Sequence, residues 1–283
     1  MSNLLVWNSS MSAAQLGMAV FLTVLYSKKD VLTKEIELTR TSVDKKPASS
    51  QEYQLNWTST NDSEKVSIGL ETVSFFYVTG IFHMVYAATN NNFYNTLILR
   101  QNNFLRWIEY SISATLMIRI IAIQAGIRDS NTLSLLTGNT IGIMLQGQIV
   151  ESALAGTGAM SANNKIIAIT STIIGWILML TNFVIIGKQF ANLSDDIDNL
   201  NCPDTKIPSF VMYILITQLI FYCSFGGIQL FHLAQRLRGN SVNYGTIEKA
   251  YVTFSLLSKL TLGGILAYSV VGADQGAYGT FVC

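Results

Sequence analysis

The 283 residues include only three cysteines, three prolines and two histidines, and charged side chains make up 12% of the chain. Three cysteines build no disulfide framework. Cys223 falls inside an apolar run and reads as a small core residue, while Cys202 and Cys283 leave one pairing open. No cysteines or histidines stand at metal-ligand spacing and no glycine-rich phosphate loop occurs, so metal sites and hydrolase chemistry find no support. A formal net charge of +1 argues against a basic nucleic-acid face. Scarce proline and scarce charge together suit a bundle of uninterrupted apolar helices.

What the chain has is apolar length. Half of its residues are hydrophobic, and runs long enough to cross about 30 Å of hydrocarbon, at roughly 20 residues each, stand at about 5–26, 66–88, 104–127, 132–155, 165–187, 208–234 and 247–272. This pattern predicts an all-α membrane protein, a single domain of seven transmembrane helices in the lipid bilayer. The first run is diluted by Asn8, Ser9, Ser10, Ser12 and Gln15. It lacks the basic start of a signal peptide and reads as a retained span.

Short links after the second, fourth and sixth runs hold Arg100, Lys165, Arg236 and Arg238, with Arg106 and Lys249 close by. The positive-inside rule then places the N-terminus in the cytoplasm and the C-terminus outside, which suits a multi-pass protein of the plasma membrane. The opposite links are long and mixed; residues 27–65 carry seven bases and seven acids. They include the glycosylation triplets starting at Asn56, Asn61 and Asn192, although Asn8 begins one on the other side.

Ionisable residues inside apolar spans mark function by default, because each costs about 2.5–3.5 kcal/mol on insertion scales. Lys259 is the single ionised residue of the stretch 250–271. An amine there can be relieved of its burden by forming an imine with an aldehyde. Glu109, a turn or two inside the third run, matches it in depth and is the expected partner of the charge. Ser255, four residues before Lys259, shares its helix face. A structural salt bridge is the plainer alternative. Arg106, Glu151 and His232 lie near span ends, where a side chain can reach the interface. Glu71 and Arg119 occupy the outer half of the second and third runs and are expected to pair.

Four segments give the chain a family likeness: Phe82-His83, the block Asn103 to Met117 centred on Arg106-Trp107-Ile108-Glu109-Tyr110-Ser111, Trp176, and Asn243-Tyr244 with Glu248 to Tyr251 and Ser255 to Lys259. In these the sequence resembles the heliorhodopsins, seven-span retinal proteins of inverted orientation. The resemblance implies all-trans retinal bound to Lys259 as a protonated Schiff base, Glu109 as counterion and Ser255 hydrogen-bonded beside it. It also implies a polar, water-containing cluster of His83 and Asn103. Tyr110, Ser113, Met117 and Trp176 would line the polyene pocket, with Phe221, Tyr222 and Phe225 offered by the sixth span. A short strand pair in the first long link and a homodimer follow from the same likeness.

The likeness has gaps. Gln15 stands where the family commonly has a histidine and cannot take up a proton. Gly264 replaces an aromatic residue five positions after the lysine, which is expected to remove bulk from the pocket wall. Glu71 and Arg119 add charges that, with Glu109 and His83, span much of the membrane depth. The expected function is a non-enzymatic light sensor without ion pumping; a light-gated passive proton channel is the second reading, and a carrier or receptor without chromophore the third.

Overall fold

The structure, a computed structural model, describes residues 2–46, 54–90, 92–199 and 207–272. Ten elements follow one another: α1 (Ser2–Lys28), β1 (Ile36–Lys46), β2 (Gln54–Val66), α2 (Ile68–Ala88), α3 (Phe93–Leu99), α4 (Phe104–Gln124), α5 (Ser130–Leu154), α6 (Ala162–Asn199), α7 (Ser209–Leu237) and α8 (Tyr244–Gly272). The seven long helices close a ring in which α1 packs on α2 and α8, and each of the others packs on its chain neighbours, with α2 meeting α4 directly. Helix α3 is an addition that span length did not announce.

Local chemistry fixes several boundaries. Ser67 caps α2 by accepting from the amide of Leu70, and Asp129 caps α5 by accepting from the amide of Thr132. Between α4 and α5 the chain turns at Gly126, whose φ of +95° suits glycine; a Cβ there would also stand 2.8 Å from Leu193 of α6. Helix α6 is 38 residues long, about 57 Å at the usual rise, and so outruns the span expected at 165–187. Its last turns pack Leu193 over the α4–α5 turn.

By length and composition α1, α2, α6, α7 and α8 can each cross a membrane unaided. Helices α4 and α5 fall short because α4 carries Arg106, Glu109 and Arg119, and α5 is rich in Ser, Thr, Asn and Gln. Many outward side chains are apolar, among them Phe21, Ile173, Leu180, Ile220 and Phe231, as hydrocarbon contact requires.

The strand pair is antiparallel, with Ile36 opposite Val66 and Lys46 opposite Gln54. It is longer than the short hairpin expected. It docks on the bundle where Thr39 donates to the carbonyl of Arg128 and bridges Asp129. Asn61 and Asn192 are exposed, whereas Asn8 is fully buried and so belongs to the interior. Cys223 is a partly buried residue of α7; Cys202 and Cys283, with their open pairing, lie outside the described residues.

Packing is uneven along the bundle. Toward the hairpin, Leu22, Phe75, Phe76, Ile118, Ile121, Leu262 and Leu266 form a continuous buried apolar layer. At the opposite end, buried polar and charged residues gather.

Candidate functional site

Helix α8 carries Ser255 and Lys259 one turn apart, both buried. The Lys259 amine donates to Ser255 Oγ at 2.7 Å and to Glu109 Oε1 at 3.1 Å. Glu109 is held from two helices: Thr79 of α2 donates to Oε1 at 2.5 Å, and Ser113, one turn on in α4, at 2.8 Å. A carboxylate with that many partners has little rotational freedom, so its charge is fixed in space. The ring of Tyr110 lies 5.2 Å from the Lys259 nitrogen, within cation–π range. The tyrosine hydroxyl donates to the carbonyl of Tyr251.

From the lysine a cavity of about 760 Å³, counting its open side, runs between α4, α5, α6, α7 and α8. Tyr110, Ser113, Met117, Trp176, Tyr222, Phe225, Ser255 and Lys259 all line it. Phe221 does not; it sits one helical step, about 100°, away from Tyr222. Gly264 is likewise absent from the wall, and a Cβ built on it meets nothing within 4 Å. Five residues turn a helix about 140° past Lys259, so the expected loss of bulk falls elsewhere. Gly226 does shape the wall, because its missing side chain lets the Trp176 ring seat against α7.

The polar stripe that dilutes the first span faces inward. Asn8, Ser12 and Gln15 recur at helical spacing on α1 and are buried. Ser12 donates to the carbonyl of Gly80, and Asn8 Oδ1 lies 2.9 Å from His83 Nδ1. Gln15 Oε1 is buried without a hydrogen-bond partner among the described residues.

Asn103, expected in a cluster with His83, takes its hydrogen bonds in a charged group that span positions concealed. The two are linked through Tyr86, which packs on the His83 ring and stacks on Tyr94, itself bonded to Glu248. Arg106, expected near the interface, is buried between Glu151 and Glu248 and bonds to both. Asn103 donates its amide N–H to Glu151 at 2.6 Å and its side-chain amide to Glu248 at 2.7 Å. Tyr244 and Trp107 also donate to Glu151, and Tyr94 of α3 donates to Glu248. The sequence signal lay in α8: Glu248 precedes Ser255 by seven residues and Lys259 by eleven, all on one face. His232 is buried close to this group, its ring 6.2 Å from that of Tyr244. In the half of the bundle nearer the hairpin Arg119 Nε donates to Glu71 at 2.8 Å, and its guanidinium stands 3.8 Å from Glu64 of the hairpin.

Residues 4–272 match the sequence model of one protein family, Heliorhodopsin. The chain belongs to the heliorhodopsin family. Among solved structures, this heliorhodopsin is similar to a light-driven proton pump from Leptosphaeria maculans, at 13% identity and a TM-score of 0.63, over 96% of this chain and 98% of that one. It is also similar to Exiguobacterium sibiricum rhodopsin, at 16% identity and a TM-score of 0.59, over 95% and 96% of the two chains. At such identities the likeness is one of fold. No curated protein matches the chain. A heliorhodopsin is a rhodopsin-type, light-responsive membrane protein, and the family implies a retinal chromophore. The residues present fit one: the cavity is walled by aromatic and aliphatic groups, as small-molecule sites are, and ends at a buried primary amine.

Proposed function

We propose that the chain is a light sensor in which Lys259 holds all-trans retinal as a protonated Schiff base, with Glu109 as counterion and no active ion pumping. The observation that carries this reading is the Lys259 nitrogen at the end of an apolar cavity, 3.1 Å from a buried carboxylate. When bound, retinal supplies a polyene that light isomerises. Lys259 presents its nitrogen to Glu109, and Ser255 holds it from the adjacent turn. Thr79 and Ser113 keep the Glu109 charge in place, so the balance between α4 and α8 depends on where the lysine nitrogen points. Loosening that contact leaves α8 free to shift against α4, a local charge change read out as helix movement.

The polar groups lie unevenly about this pair. His83, Asn8 and the Arg106 cluster stand to one side, while the layer of Phe75, Phe76, Ile118, Ile121, Leu262 and Leu266 lies on the other. Such an apolar layer favours retention of a proton over its transport. In this reading the polar end is cytoplasmic, the N-terminus is inside, the C-terminus outside, and the protein acts in the plasma membrane as a homodimer without enzymatic chemistry. A passive proton channel gated by light is the second reading, and the partly buried Glu71–Arg119 pair beyond the apolar layer favours it.

Electrical recording under illumination, at two voltages and two pH gradients, separates the two. The sensor gives a visible absorption band on adding all-trans retinal and no photocurrent. A photocurrent whose reversal follows the proton gradient identifies the channel, and absence of any band refutes both.

A further inference from the structure

Gln218 is a fully buried polar residue of α7 that faces the lysine-bearing helix. Its Nε2 donates at 3.1 Å to the carbonyl of Ser258, the residue directly before Lys259. Its Oε1 is buried with no donor among the described residues. Turning the amide over would set oxygen against oxygen, so only one orientation makes a bond. A glutamine with half its hydrogen-bonding capacity unmet is a poor means of stabilising a core, since an orphaned buried carbonyl costs about what the satisfied half contributes.

From this we infer that Gln218 is a positioning residue for Lys259, pinning the Ser258–Lys259 peptide unit of α8 to α7. Three features of the neighbourhood make such a pin consequential. The Ser258 carbonyl has two lone pairs, so it can accept from Gln218 as well as from the helix's own ladder, and the tie to α7 is added to the turn that follows. That turn leads into Gly263-Gly264, a pair of low helix propensity. Gly263 also lies so close to α2 that a Cβ would stand 2.5 Å from the Phe76 ring. Thus α8 is braced by α2 on one side and held by Gln218 on the other, and the lysine issues from between the two constraints. Ser255 aims the side chain by its hydroxyl; Gln218 aims the backbone from which that side chain grows.

The proposal rests on the retinal reading for its spectral consequence but not for its backbone consequence, and the test uses both. Gln218→Met keeps the volume and removes donor and unmet acceptor together, so its melting temperature should stay near that of the wild type. Its absorption maximum should shift and the thermal return of its photoproduct should change at least several-fold. Gln218→Asn, one methylene too short to reach Ser258, should do the same. In retinal-free protein, exchange of backbone amides in the segment 258–264 should rise about two- to tenfold in either variant, the range an ordinary hydrogen bond corresponds to. Unchanged amide exchange in both variants would overturn the pin. Altered exchange with unchanged absorption and recovery would overturn its link to Lys259. A wild-type protein that takes up no retinal, yet shows the exchange difference, would sink the retinal reading alone.

Discussion

Adding one methyl group to Gly226 tests whether the cavity wall is built as described. A Cβ at this position would stand 2.5 Å from Trp176 Cζ2 and 2.9 Å from Cε2, so the ring must retreat by about 1 Å to reach ordinary contact. Overpacking of this kind costs about 1–3 kcal/mol, while exchanging glycine for alanine within a helix returns up to about 1 kcal/mol. Gly226→Ala is therefore expected to lose up to about 2 kcal/mol. Its more specific effect is on the cavity, because the displaced ring moves into space shared with Tyr222 and Phe225. Gly227 is the control, since a Cβ there meets nothing within 4 Å, and Gly227→Ala should be neutral or slightly stabilising. Thermal denaturation and the growth of the visible band after addition of all-trans retinal read the two effects. Slower or incomplete band growth in Gly226→Ala alone is the expected result. Equal melting and equal uptake in the two variants would refute the described wall.

Other consequences follow from the buried charges. Glu109→Gln removes the anion beside Lys259 and should cost about 3–5 kcal/mol, as breaking a buried pair does; differential melting and a displaced absorption band would show it. Arg106→Gln leaves Glu151 and Glu248 without their shared cation and should destabilise by a similar or larger amount, seen as early unfolding or failure to accumulate. Glu71→Gln and Arg119→Gln alter a pair whose side chains keep 13% and 17% exposure. They should cost between the roughly 1 kcal/mol of an exposed pair and the roughly 3 kcal/mol of a buried one, and create no photocurrent where none existed; a current abolished by either would establish the channel reading instead.

The central part of the site was legible because charge inside apolar sequence is conspicuous. Lys259 and Glu109 stood out in this way, Ser255 followed from helical spacing, and depth alone matched Glu71 to Arg119. The Arg106 cluster was hidden by the same logic. Each of its charges lies near a span end, where water is normally within reach, and its burial depends on Tyr94 from the unexpected α3 and on Tyr244. By composition Asn8 only dilutes the first apolar run, yet with Ser12 and Gln15 it forms the inward face of α1. Phe221 and Gly264 show the limit of a motif: belonging to a recognisable segment does not decide which way a side chain points. Seven long helices followed from hydropathy, but the hairpin length, the reach of α6 and the existence of α3 depend on contacts between segments.

Chemical trapping of the chromophore linkage tests the account most directly. All-trans retinal is added to the purified protein, the product is reduced with borohydride, and the modified peptide is mapped by mass spectrometry. The account predicts a single retinyl adduct on Lys259, absent in Lys259→Ala together with the visible band. An adduct on another lysine, or a visible band that persists in Lys259→Ala, would contradict it.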